Sequence, residues 1–112
     1  MDHHALKSEV QRIVRLLAEA NYREVEEITE SVRLNAFMME SAIKEYGRTL
    51  VPLPEEALEI IEIIQHDDNE NTASVCCPLW TLEKGRSDLS VELTIVFVDG
   101  SWRIEIDDLH VL

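Results

Sequence analysis

A chain of 112 residues, 46% of them hydrophobic and only three of them glycine, has the make-up of an ordinary globular protein. It is long enough for one domain over residues 1–112 with a real core, since roughly 6,300 Å² of folded surface is expected for its mass. Its formal charge of −13 argues against nucleic-acid or anionic-membrane binding, which both need phosphate-neutralising cations.

The charge is uneven. Residues 1–48 carry nine acids against seven bases, and residues 49–112 carry fourteen against three. From Thr49 to Glu83 there are eight acids and neither Lys nor Arg. A one-signed stretch of this kind favours a basic partner, although charge also serves solubility. No segment is apolar enough to cross a membrane, and Met1-Asp2-His3-His4 lacks the basic and apolar regions of a signal peptide. With the adjacent Cys76 and Cys77 expected as reduced thiols, the expected setting is the cytoplasm.

In chain order, Leu6, Val10, Ile13, Val14 and Leu17 recur at helical spacing and predict an amphipathic helix over 4–20. Asn21 with Glu24 three residues on predicts a capped second helix through Tyr22, Val25 and Ile28. Asn35 caps a third helix, with Met39, Ala42, Ile43 and Tyr46 as its apolar stripe and Gly47 as its stop. Pro52 and Pro54 mark a connector. Residues 55–65 have a helix-like Pro-Glu-Glu start, but isoleucines at 60, 61, 63 and 64 favour a strand, which is the expectation taken here.

A turn is expected over 67–72 and a second strand over 73–82, with Pro78 implying an edge, a bulge or an unpaired amide. Residues 83–88 read as a polar loop around Gly85. Leu89, Val91, Leu93, Ile95 and Phe97 alternate with polar residues, Asp99-Gly100 signals a tight hairpin, and Trp102, Ile104 and Ile106 continue the alternation. The fold class expected is α+β, with N-terminal helices packed on a curved antiparallel sheet of about four strands.

Glu9-Val10-Gln11-Arg12-Ile13-Val14-Arg15-Leu16-Leu17 followed by Ala20-Asn21-Tyr22 resembles the first helix of nuclear transport factor 2-like (NTF2-like, cystatin-type) proteins running into their second. The piece from Gly85 to Leu89, and from Trp102 to Leu112, is similar to a bacterial branch of small proteins of that superfamily. The resemblance implies a curved sheet wrapped over helices around a cone-shaped cavity. It spans enzymes, scaffolds and toxin-neutralising immunity proteins, so it selects no activity. In this chain three helices precede the first strand, where the superfamily often inserts a strand between the second and third.

Asp107, Asp108 and His110 are the densest group able to hold a divalent metal or form an acid–base dyad. An unbroken strand would turn Asp107 away from the other two, so a solvated strand end is the expectation. His66-Asp67-Asp68 reads as turn chemistry, and His3-His4 lacks further ligands. Tyr22, Tyr46 and Trp80 either line a cone cavity or pack in the core. Cys76-Cys77 has neither an activating base nor metal spacing. No catalytic residue, metal or cofactor is expected, and enzymatic activity is disfavoured without being excluded.

The functional expectation is a non-catalytic acidic domain that binds a basic protein, in the manner of an immunity protein occluding a toxin. Its binding face is assigned to Glu55, Glu56, Glu59, Glu62, Asp67, Asp68, Glu70 and Trp80, with Leu82 as a second apolar anchor. The alternatives are a small-molecule binder or enzyme using the cone cavity, and a structural homodimer.

Overall fold

The computed structural model describes residues 1–112, the side chain of Glu70 excepted. Helix α1 (His3–Ala18) starts where Asp2 accepts hydrogen bonds from the His4 and Ala5 amides. It stops two residues earlier than its periodicity predicts because Ala20 turns left-handed, at φ 60°, and the Asn21 amide bonds back to the Leu16 carbonyl. Helix α2 (Tyr22–Ile28) follows, but the Asn21 side chain does not cap it and instead donates to Glu24 at 2.8 Å. In α3 (Ala36–Tyr46), Asn35 accepts from the Met38 amide at 2.9 Å and Gly47 closes the helix at φ 79°, both as expected.

Five strands then form one antiparallel sheet: β1 (Leu50–Val51), β2 (Glu62–His66), β3 (Asn69–Thr81), β4 (Gly85–Val98) and β5 (Ser101–Val111). β3 is flanked on one side by β2 and then β1, and on the other by β4, which pairs β5. The sheet curls into a half-barrel, giving the expected α+β fold. Pro78 sits between the end of the β2 pairing and the start of β1, at a register shift against β4. Those are places where a missing amide costs least.

Two expectations are corrected. Residues 55–65 are not one strand: Glu55–Ile60 forms a 3-10 helix and β2 begins only at Glu62. Pro54 is extended, and the Ala57 amide bonds to its carbonyl, so the Pro-Glu-Glu signal governed the start and the isoleucines only the end. Residues 85–88 are not loop. Gly85 at φ 77° closes a short turn after Thr81, and β4 is already under way at Ser87, whose hydroxyl donates to the Leu79 carbonyl at 2.7 Å.

The inner face of the sheet carries Ala73, Val75, Cys77 and Leu79 from β3, Leu89, Val91, Leu93 and Ile95 from β4, and Ile104, Ile106 and Leu109 from β5, all buried. Leu6, Val10, Ile13, Val14 and Leu17 of α1 complete this core. The total accessible surface of 6439 Å² matches that expected of a folded chain of this mass, so no long segment stands away from the body.

The hairpin turns at Asp99-Gly100 as the sequence predicts, with both residues at positive φ and Val98 paired to Ser101. Trp102 is only half-buried. It pairs with Phe97, itself 38% exposed, at a centroid distance of 4.8 Å. The two rings therefore pack together beside the turn of the hairpin, and the core contribution sits at Ile104 and Ile106.

Two exposed carboxylates pin the helical half to the sheet. Glu83 accepts from the Thr49 amide and hydroxyl at 2.8–3.1 Å, and Asp88 accepts from the Tyr46 hydroxyl at 2.5 Å. Both are held below the usual carboxylate range, chiefly by these hydrogen bonds.

Ile106→Ala is expected to cost about 2–5 kcal/mol in urea unfolding, and Trp102→Ala only about 0.5–3 kcal/mol. A larger loss at Trp102 than at Ile106 would contradict this division. Because the Glu83 and Asp88 values are depressed, their contribution is present above the ordinary carboxylate value and is lost as the pH falls below about 4. The melting temperature of Glu83→Gln and Tyr46→Phe variants should therefore fall less steeply with acidification than that of the parent.

Candidate functional site

Among the described residues no helix packs on the outer face of the sheet, and its side chains are set by register. Glu62, Cys76, Glu92 and Asp108 form one row across β2, β3, β4 and β5. Ile64, Ser74, Thr94 and Glu105 form the next. Between the two rows β5 has a bulge: Leu93 pairs with Ile106 and Glu92 with Asp108, so Asp107 is the extra residue. A bulge puts two successive side chains on the same side of a strand. Inner-facing apolar residues accordingly run Ile104, Ile106, Leu109 in place of strict alternation.

The bulge overturns the expectation that Asp107 faces away from Asp108 and His110. All three lie on the outer face. Asp107 accepts from the Thr94 hydroxyl at 2.6 Å and lies 3.9 Å from the Arg33 guanidinium. Asp108 accepts from His110 Nδ1 at 2.6 Å, and the same nitrogen is 3.4 Å from Glu92 Oε2. Glu92 and Asp108 are directly opposed, an arrangement that repels unless a positive group sits between them.

Arg33 reaches this face because the α2–α3 loop wraps round the free edge of β5. The Glu30 amide bonds to the Ile104 carbonyl at 2.8 Å, and the Val32 and Arg33 amides donate to the Glu105 carboxylate at 3.3–3.4 Å. Arg33, Glu62, Ser74, Cys76, Glu92, Thr94 and Asp107 line a shallow trough of about 260 Å³ along the two rows. His66 Nε2 lies 2.9 Å from the Oγ of Ser74, one of the lining residues.

The DUF7668 family model, described as a domain of unknown function, matches residues 14–112 and so takes in the entire sheet and this trough. The chain belongs to the DUF7668 family. No curated protein matches it, and no solved structure does.

In this DUF7668 domain the assigned acidic residues divide by element. Glu55, Glu56 and Glu59 are exposed on the 3-10 helix, Glu62 stands in the outer-face row, and Asp67 and Asp68 are exposed at the tip of the β2–β3 turn. The side chain of Glu70 lies outside the described residues. Trp80 is half-buried against the core, beside β1, while Leu82 is 73% exposed in the turn that follows β3. Sequence reading missed Glu92, Asp107 and Arg33 as members of the face. The signal for Glu92 was its place in the polar alternation of β4, and for Asp107 the break in apolar alternation between Ile106 and Leu109, but nothing local marked Arg33.

Tyr22, Tyr46 and Trp80 do not line a common cavity. Tyr22 borders a surface hollow with Phe37 and Glu40, and Tyr46 borders another with Leu109 and His110. Leu6, Ile13 and Leu17 of α1, fully buried, occupy the space inside the curl that a cone cavity would need.

The two thiols face opposite sides. Burial pushes Cys77 up to about 12. Cys76, in the trough, is raised first by burial, then by Glu92 and Glu62 on either side, with the Ser90 hydroxyl pulling in the opposite direction. At about pH 8, iodoacetamide should modify Cys76 more slowly than free glutathione and leave Cys77 untouched until unfolding. Glu62→Gln with Glu92→Gln removes the nearby negative charge, lowers the Cys76 value and should speed its modification. An unchanged rate would show that burial alone governs this thiol.

Proposed function

We propose that this domain is a non-catalytic binding module that captures a basic protein on the bare outer face of its sheet, in the manner of an immunity protein. The observation that carries the reading is the placement of Glu62, Glu92, Glu105, Asp107 and Asp108 on the one sheet face without helical cover. The acidic run from Glu55 to Asp68 leads into and out of β2, the strand at one edge of that face. Arg33 and Arg103 stand at the opposite, β5 margin.

Such a field speeds encounter with a cationic partner by about 10–10³-fold at low salt and rejects acidic competitors. Affinity needs apolar anchors beside the charge. Ile64, 56% exposed within the trough, meets that need more directly than Trp80, whose ring is engaged with the core. The curled sheet with its N-terminal helices is compatible with the NTF2-like cone, a superfamily that includes immunity proteins. The filled interior favours binding on the outer face over binding inside.

The test is to capture partners from the native cell at low salt and to compare two variants of equal charge change. One carries Glu62→Gln, Glu92→Gln and Asp108→Asn; the other carries Glu19→Gln, Glu24→Gln and Glu27→Gln on the helical side. The reading expects a basic partner whose association rate falls, with a flatter salt dependence, only in the sheet-face variant. Equal effects of the two variants, or a partner without basic character, would overturn it.

A further inference from the structure

We propose that Glu92, Asp108 and His110 form a binding site for one divalent first-row transition-metal ion. The inference does not rest on the protein-binding reading, although Glu92 and Asp108 belong to the same face. Among the described residues this is the one place where three metal-ligating side chains converge, with a ligand atom of each within 4.8 Å of the others. Ligands about 2.1 Å from an ion at tetrahedral angles lie roughly 3.4 Å apart. His110 Nδ1 stands 3.4 Å from Glu92 Oε2 and 2.6 Å from Asp108 Oδ2, so small side-chain rotations bring the donors to that spacing.

Three further features fit an ion and not a chance meeting of surface charges. The imidazole Nδ1 points at both carboxylates, which leaves a proton to offset two directly opposed acids where a cation could do so fully. The β5 bulge at Asp107 carries Asp108 and His110 onto the face of Glu92. Ser90 is paired across the ladder with His110 and stands two residues before Glu92 on the same face. It is 1% exposed, and its hydroxyl makes no hydrogen bond of ordinary geometry, its polar neighbour being the Cys76 thiol, a weak acceptor. A buried hydroxyl with only a thiol beside it would gain a stronger partner in an ion's bound water or in the ordered imidazole.

One imidazole and two carboxylates suit Zn²⁺, Co²⁺ or Mn²⁺ and not a thiolate-seeking ion such as Cu⁺. Three protein ligands leave at least one position open to water or to a donor from a partner. Asp108 is exposed and Glu92 and His110 are only half-buried, so the open position is reachable from solvent.

The experiment titrates the full chain with Co²⁺, read by visible absorbance, and with Zn²⁺, read by calorimetry and by the melting temperature. One ion per chain is expected, with a rise in melting temperature. His110→Gln should abolish the Co²⁺ spectrum, and Ser90→Ala should weaken binding by about tenfold. Glu92→Gln, nearly isosteric and only half-buried, should weaken it further while the metal-free melting temperature stays at or above the parent value. A His3→Gln, His4→Gln variant should bind as the parent does. The proposal is overturned if the parent binds neither ion up to about 1 mM. It is equally overturned if binding survives His110→Gln, or if the His3, His4 variant loses it.

Discussion

The apolar inner face of the sheet has to be sealed from water, and α1 is the element whose stripe of Leu6, Val10, Ile13, Val14 and Leu17 seals it. Burying a side chain of this size is worth about 1.5–3 kcal/mol, so these five positions dominate the interaction between the two halves of the chain. The consequence reaches the opposite surface. Once the helices are committed to the inside of the curl, only the α2–α3 loop, among the described residues, reaches the outside. The interior is closed to ligands by the same side chains that hold it together.

What stands on the outer face follows from strand pairing. β3 and β4 are long and centrally placed, so the residues opposed across them are fixed by the alternation that buries Val75, Val91 and Leu93. The row Glu62, Cys76, Glu92 and Asp108 is the polar complement of that apolar pattern. Placing Glu92 opposite Asp108 is unfavourable by itself. The arrangement is tolerable because His110 and Arg33 stand nearby and water reaches the face. It also makes the face responsive to any added positive charge, whether from a protein or from an ion.

Much of the fold was legible in local chemistry. The α1 stripe, the Asn35 cap, the Gly47 stop and the Asp99-Gly100 turn each depend on interactions within a few residues, and each stands where the sequence places it. Where two local signals competed, the outcome depended on contacts far along the chain. The isoleucines at 60 and 61 do not form strand because β2 pairs with β3 only from Glu62 onward. Gly85 to Asp88 joined β4 because Trp80 and Thr81 lie opposite Arg86 and Gly85.

The acidic character of the second half is a property of composition, which the sequence determines alone. It also determines that the sheet has one apolar and one polar side, since alternation is a local property of the strand. Which acids share that polar side was decided by tertiary structure. A single extra residue at Asp107 moves Asp108 and His110 to the face of Glu92, and a loop bond from Glu30 to Ile104 carries Arg33 beside them. Both depend on pairing across separate strands and loops, where a register shift of one residue reverses the direction of every side chain beyond it.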